Sequence, residues 1–119
     1  MADILAADEI TRGLSTGWMG HRLEIREQTG STNDDCIALA RAGAPAGTVV
    51  VTDWQSAGRG RRGRHWSAPP GSAVLLSIVV RPALAVAAVG RLGMAAALAV
   101  VEAIRRVTGI HAAVKYPND

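Results

Sequence analysis

Residues 48–80 read TVVVTDWQSAGRGRRGRHWSAPPGSAVLLSIVV, and this stretch decides the fold. Its first part, Thr48 to Trp54, is dense in β-branched side chains and predicts a buried strand. Its last part, Ser72 to Val80, predicts a second strand. Between them, Gln55 to Pro70 forms a polar segment rich in glycine and arginine, and loops of this length inside a domain are usually functional or disordered. We therefore expect two sheet strands joined by a binding loop.

The flanks of this stretch predict further strands and helices, which together indicate a mixed α/β domain. Ser31 with Asp34, or Thr32 with Asp35, resembles a capping box at the start of one of these helices. The predicted helices are Ala2–Thr11 with Gly13 as its stop, a segment from Ser31 to Gly43, and Pro82–Thr108 with Gly109 as its C-cap. The additional predicted strands are Leu23–Glu27 and Ile110–Tyr116.

Composition favours one domain in a reducing compartment. The 119 residues are 49% hydrophobic, which is enough apolar material for one core. The net charge of +3 does not by itself indicate a nucleic-acid partner, although four arginines fall within residues 59–64. Cys36 is the only cysteine, so an intrachain disulfide is excluded and a cytoplasmic protein is expected.

No membrane or export segment is expected. Residues 1–9 contain acidic residues and lack the basic start of a signal peptide. The longest apolar tract, Leu84 to Val101, carries Arg91 near its middle between Gly90 and Gly93. This tract predicts a buried helix of a soluble protein rather than a membrane span.

The loop segment GRGRRGRHW, residues 58–66, is the most informative motif. Its glycines let the backbone approach a ligand closely, and its arginines offer planar donors for carboxylate and phosphate oxygens. These features predict a flexible segment that orders around an anion. An arm that binds nucleic-acid phosphates, with Trp66 stacking on a base, is an open alternative, as is an ordinary solvated loop.

Two nucleotide motifs are disfavoured by their context. The glycines match G-x-G-x-x-G, but the segment leads into a strand and position 81 is Arg81 instead of an acidic residue. A phosphate-binding P-loop would need Lys-Ser/Thr where this chain has Arg64-His65. His65 and His111 have no partners at ligand spacing, so no metal site built from protein side chains is predicted.

Three segments together resemble the catalytic domain of biotin–protein ligases, also called biotin–[acetyl-CoA-carboxylase] ligases. They are Ser31-Thr32-Asn33, the motif from Gln55 to Trp66, and the segment from Lys115 to Asp119. The resemblance covers about residue 28 to the end of the sequence. It implies an α/β (α+β) fold with a mixed central sheet and helices on one face, related to class II aminoacyl-tRNA synthetases.

The resemblance also implies an enzymatic activity. Family members use ATP and Mg²⁺ to activate biotin as biotinyl-5'-adenylate, and then transfer biotin to a lysine of a carrier protein. The implied partner is the biotin carboxyl carrier protein of acetyl-CoA carboxylase or a related carboxylase. No DNA and no membrane partner is implied, and a homodimer is compatible with it. Lipoate ligases share the fold, but the GRGRRGR loop favours biotin.

The resemblance assigns roles to residues of this chain by position. Arg59 and Arg61 are implied as the catalytic residues, and Arg61 matches the arginine that retains the adenylate. The implied biotin contacts are Ser31, Thr32, Asn33, Gln55, Arg59, Gly60 and Arg61. The residues implied on the nucleotide side are Gly58, Arg64, Trp66, Lys115, Asn118 and Asp119.

Two departures from the family pattern limit the expectation. Tyr116 stands where family members usually have tryptophan, which keeps an aromatic face. The family's lysine that contacts biotin and the reacting carboxyl group would lie beyond Asp119. We therefore expect residues 1–27 to be an N-terminal extension and residues 28–119 to be an incomplete catalytic domain of the non-repressor type. Little or no turnover is expected from it alone.

Overall fold

The computed structural model describes residues 5–115, which divide into two units at the boundary between Arg81 and Pro82. The second unit holds one long helix, whereas the first holds a sheet and two helices. In chain order the elements are α1 (Ala7–Arg12), β1 (Leu23–Arg26), α2 (Thr32–Arg41), β2 (Val49–Thr52), β3 (Leu75–Ile78) and α3 (Gly90–Thr108).

The sheet of the first unit is mixed, as expected from the resemblance. Its strand order is β1-β2-β3, with β1 parallel to β2 and β3 antiparallel to it. Val50 of β2 lies opposite Glu24 of β1 and Ser77 of β3. All four residues of β2 are buried, because this β-branched strand has a neighbour on each side. The two strong strands predicted from residues 48–80 are confirmed, each with shorter bounds.

Helix α2 covers one face of the sheet and builds the core of the first unit. Cys36 on α2 packs with Val50 and Val79, and Leu39 and Ala40 lie against this cluster. The thiol of Cys36 is buried, and this burial raises its pKa. A small apolar core residue therefore describes Cys36 better than a nucleophile does.

The two ends of α2 are held in different ways. At the C-terminal end, the Arg81 guanidinium donates hydrogen bonds to the carbonyl oxygens of Ala40 and Ala44. Gly43 then turns the chain away with a positive φ of 93°. At the N-terminal end Ser31 is the N-cap residue, but its side chain makes no capping hydrogen bond. The predicted capping box is therefore wrong. The Gln55 side chain accepts a hydrogen bond from the Thr32 backbone N–H at this helix end instead.

In α1, the predicted stop at Gly13 is confirmed, and within the described residues the helix begins at Ala7. The predicted start at Ala2 lies outside the described residues.

In the second unit, the helix begins later than Pro82 predicts and ends where expected. Ala85 keeps an extended backbone with ψ 146°, so the chain enters α3 only after a short turn over Val86–Ala88. Gly109 ends the helix in the left-handed region with φ 76°, as predicted. The predicted strand over residues 110–116 is wrong for residues 110–115, because no described strand pairs with that segment.

The expected burial of this helix is also not found. Among the described residues of α3 none is buried. The segment Val86–Thr108 is long and apolar enough to cross a membrane, by length and composition alone. These two criteria do not separate a spanning helix from a core helix.

Candidate functional site

A cavity of about 220 Å³ lies in the first unit, beside the start of α2. The N-cap residue and the first helical residues form one wall, and β3 together with the residues before it forms another. Six residues singled out from the sequence line this cavity: Ser31, Thr32, Asn33, Gln55, Arg59 and Trp66. A second cavity of about 240 Å³ contains none of these residues.

Gln55 performs the helix-capping role that Ser31 leaves open. Its Oε1 accepts a hydrogen bond of 2.8 Å from the backbone N–H of Thr32, one of the donors that has no partner inside the helix. The same oxygen accepts a bond of 3.1 Å from the Thr32 hydroxyl. Gln55, which is 23 positions from Thr32 in sequence, thus fixes the start of α2. It also connects α2 to the segment of residues 58–66, called the arginine loop from here on.

Ser77 extends this network across the cavity. Its Oγ lies 2.8 Å from Thr32 Oγ1 and 2.8 Å from Asn33 Oδ1. The two hydroxyl groups therefore make three contacts: Thr32 with Gln55, Thr32 with Ser77, and Ser77 with Asn33. Each hydrogen bond needs one proton, and the two hydroxyl groups supply only two. Rotating the Asn33 amide by half a turn would place its NH₂ group on Ser77 and supply the third proton. The cavity wall can therefore present both donors and acceptors to a polar ligand.

The arginine loop is folded on itself as a hairpin. Trp66 donates its N–H to the Gly58 carbonyl at 2.8 Å, and Gly60 donates to the Arg64 carbonyl at 2.7 Å. At its tip Arg62 is the only described non-glycine residue with a positive φ, 58°. The residues just before the loop are hydrogen-bonded to the segment that precedes α2. The backbone N–H groups of Ser56 and Ala57 donate to the carbonyl oxygens of Thr29 and Gly30.

Gly58 cannot carry a side chain without moving this hairpin. A Cβ atom there would lie 2.6 Å from the Trp66 carbonyl oxygen and 2.9 Å from Gln55 Nε2. Both values are shorter than real Cβ contacts. The absence of a side chain at Gly58 therefore lets the two arms of the hairpin, the one at Gly58 and the one at Trp66, lie side by side next to the cavity.

Arg59 reaches from the loop to the first turn of α2. Its Nη1 and Nη2 donate to the two carboxylate oxygens of Asp34 at 2.8 and 2.6 Å. This bidentate hydrogen bonding lowers the pKa of Asp34 and raises the pKa of Arg59. Arg59 lines the cavity, whereas Asp34 does not.

The next residue, Asp35, is bound on another side of the helix. Its Oδ1 lies 2.9 Å from Arg26 Nη1 of β1, and its Oδ2 accepts a bond of 2.6 Å from the Thr29 hydroxyl. Neither acidic side chain takes part in the capping box that the sequence suggested.

Comparison with known proteins decides the family. The sequence pattern of the Biotin/lipoate A/B protein ligase family matches residues 26–119. The chain belongs to this family. It is 40% identical over 115 residues to the "Bifunctional ligase/repressor BirA" of Bacillus subtilis, covering 97% of this chain and 35% of that protein. It is 40% identical over 112 residues to the "Biotin--[acetyl-CoA-carboxylase] ligase" of Mycobacterium tuberculosis, covering 90% of this chain and 41% of that protein.

Solved structures agree with the family assignment. The biotin protein ligase of Aquifex aeolicus in complex with biotin and ATP matches with a TM-score of 0.71 and 30% identity, over 83% of this chain and 40% of that one. The ligase of Leishmania major in complex with biotin matches with a TM-score of 0.67 and 29% identity, over 83% and 46%. The resemblance to biotin–protein ligases and the mixed-sheet fold are thereby confirmed. The chain spans less than half the length of these relatives.

The remaining site residues predicted from the resemblance lie in several places. Gly58, Gly60, Arg61 and Arg64 lie in the hairpin outside the cavity lining, and of these four only Gly58 is buried. Lys115 is exposed in the second unit, and Asn118 and Asp119 lie outside the described residues. The boundary predicted after residue 27 stays a prediction, although β1 precedes it and belongs to the sheet.

Sequence reasoning missed Ser77 as a residue of this cavity. The available signal was its polarity, since Ser77 interrupts the apolar run of residues 73–80, AVLLSIVV. It also missed Asp34 as the partner of Arg59, because a spacing of 25 residues carries no local signal.

The described residues do not offer a protein-built magnesium site. Within residues 5–115, no three His, Cys, Asp or Glu side chains gather closely enough to hold a metal ion.

Proposed function

We propose that this chain provides the biotin-capturing part of a biotin–protein ligase, which activates biotin with ATP and transfers it to a carrier lysine. The observation that supports this proposal most directly is the gathering of Ser31–Asn33, Gln55, Arg59 and Trp66 around one cavity. The reaction is proposed from the similarity to the relatives named above, and the cavity is the proposed binding place of biotin.

The cavity suits the chemical parts of biotin. Thr32, Asn33 and Ser77 present hydroxyl and amide groups that match the donors and acceptors of a ureido ring. Val74 and Leu75 offer apolar surface for the thioether ring and the aliphatic chain. Arg59 then offers a permanent positive charge to the terminal carboxylate.

The reaction needs charge neutralisation and protection from water. In the first step a biotin carboxylate oxygen attacks the α-phosphate of ATP, and pyrophosphate leaves. Two anions must meet, so guanidinium groups of the loop, Arg59 and Arg61 in this proposal, stabilise the approach without a protein nucleophile. The loop then shelters the mixed anhydride until a lysine amine attacks the acyl carbon and AMP leaves.

The proposal extends to partner and location. The carrier is a biotin carboxyl carrier protein of the acetyl-CoA carboxylase type, in keeping with the name of the Mycobacterium tuberculosis relative. A cytoplasmic location is proposed because ATP is the co-substrate and the single thiol, Cys36, is free.

Biotin binding to this chain, measured by titration calorimetry, tests the proposal. We expect Thr32→Val to weaken biotin binding by about ten-fold, because it removes one hydrogen-bonding hydroxyl from the cavity. The matched control is Thr11→Val, which removes a hydroxyl of α1 that does not line the cavity. The proposal fails if the unmodified chain binds no biotin, or if both variants bind it equally well.

A nucleic-acid interaction of the arginine loop would give a different result. Affinity for a DNA fragment would then fall steeply between low and moderate salt, and Thr32→Val would leave it unchanged.

A further inference from the structure

Arg59 is already bound to an anion of its own chain. Both of its terminal nitrogens donate to Asp34, the same two-pronged arrangement by which a guanidinium binds a ligand carboxylate or phosphate. Arg59 nevertheless lines the cavity, and Asp34 lies outside the lining. The guanidinium therefore stands between an internal carboxylate and the space where a ligand would bind.

The pair is accessible enough to exchange partners. The side chains of Arg59 and Asp34 are 53% and 55% exposed, and water and salt screen exposed ion pairs. Asp35 cannot replace Asp34 as the partner of Arg59, because the Asp35 carboxylate is already bound by Arg26 and Thr29. Exchange at Arg59 would thus leave Asp34 in solvent and disturb no buried contact.

Only the side chain of Arg59 has to move. Its backbone is held in the hairpin by a bridge to His65, and its neighbours Gly58 and Gly60 are hydrogen-bonded across the loop. A rotation about the side-chain bonds can therefore redirect the guanidinium while the loop keeps its form.

We propose that Asp34 is an internal counter-ion, which an anionic ligand must displace from Arg59 before the arginine can bind that ligand. The inference rests on the proposed function, since it assigns the ligand anion to the biotin carboxylate. Asp34 keeps the charge of the cavity arginine neutralised, so an uncharged ligand has no ionic attraction to Arg59 to gain and does not compete with Asp34 for it. A ligand with a carboxylate competes directly with Asp34 and binds less tightly than it would without this competitor.

The test compares charged and neutral ligands by titration calorimetry on the full chain. The ligands are biotin and biotin methyl ester, and the variants are Asp34→Asn, Asp34→Glu and Glu102→Gln. Glu102→Gln is the matched control, because Glu102 is another exposed carboxylate bound by arginines, Arg105 and Arg106, and does not line the cavity. Its substitution changes the net charge by the same amount.

We expect Asp34→Asn to tighten biotin binding by about two- to five-fold, the range of exposed ion pairs. Binding of the methyl ester should stay unchanged, and Asp34→Glu and Glu102→Gln should match the original chain. The inference is overturned if Asp34→Asn weakens biotin binding, shifts both ligands equally, or acts no more strongly than Glu102→Gln.

A third probe separates this inference from the proposed function. If the unmodified chain binds neither biotin nor its ester, the proposed function fails, and inorganic pyrophosphate then serves as the test anion for Arg59. Tighter pyrophosphate binding by Asp34→Asn than by Glu102→Gln would still support the counter-ion role. Equal binding, or none by either variant, would overturn it.

Discussion

Asp34 and Asp35 are neighbours in the first turn of α2, yet they bind different parts of the molecule. The side chain of Asp34 is 55% exposed and binds Arg59 of the loop. The side chain of Asp35 is 16% exposed and binds Arg26 of β1, together with the Thr29 hydroxyl. Consecutive residues of an α-helix point about 100° apart, so each carboxylate meets a different element.

The difference in exposure separates a structural role from a role at the site. The carboxylate of Asp35 is largely shielded from water and binds both Arg26 and the Thr29 hydroxyl, so its loss takes a partner from each, although Arg26 keeps its hydrogen bond to Glu24. The pair of Asp34 is screened and reversible, which suits a contact that a ligand can replace. Both positions lie in the same helical turn, so helix propensity and the helix dipole affect them alike.

The largest expected effect is on stability, from Asp35→Ala. Removing this carboxylate should lower the free energy of unfolding by about 1–3 kcal/mol, because Arg26 and Thr29 lose a shielded partner. Urea unfolding followed by far-UV circular dichroism measures the change. Asp34→Ala is the matched control and should cost clearly less. Equal losses in the two variants would remove the distinction between the two aspartates.

Gln55 sharpens the comparison because it serves both the fold and the site. Gln55→Leu should lower the free energy of unfolding by about 0.5–2 kcal/mol, the usual cost of a lost helix cap. Gln55→Glu keeps an acceptor oxygen for the Thr32 N–H and should retain most of the stability, helped by the helix dipole. The capping interpretation is wrong if the glutamate variant unfolds as readily as the leucine variant in the same urea titration.

Much of the fold could be predicted because its signals are local. The β-branched run around Val50 identifies the central strand, and Gly43 and Gly109 mark helix ends through their backbone freedom. Residues 110–115 had strand-like composition, but a strand also needs a neighbour to pair with, and composition carries no information about that neighbour.

The sequence could predict several residues of the site, but not the hydrogen bonds that link them. The resemblance named Gln55 and Thr32, while the hydrogen bond between them emerges only when β2 and α2 are packed together. The same holds for Asp34, whose spacing from Ser31 suggested a local cap. Tertiary contact overrode that local signal, because the bidentate donors of Arg59 bind a carboxylate more strongly than a single backbone N–H does.

The smallest expected effect is a titration shift at Asp34. Arg59 lowers the pKa of Asp34 below its ordinary value of 3.8, chiefly through their hydrogen bonds. The pair's contribution is therefore fully present above pH 3.8 and is lost as the pH falls through the lowered pKa. In Arg59→Gln the pKa of Asp34 should return toward 3.8, which a carbon NMR titration of the carboxyl group measures directly.

Glu102 provides the internal reference for this titration. Hydrogen bonds from Arg105 and Arg106 lower the pKa of Glu102 to about 2, and Arg59→Gln leaves both of these arginines in place. The Glu102 titration should therefore be the same in both proteins while that of Asp34 moves. If Asp34 titrates identically with and without Arg59, the carboxylate is not held by the guanidinium in solution. The contrast with Asp35 would then be one of burial alone, and no competition with a ligand anion could follow from it.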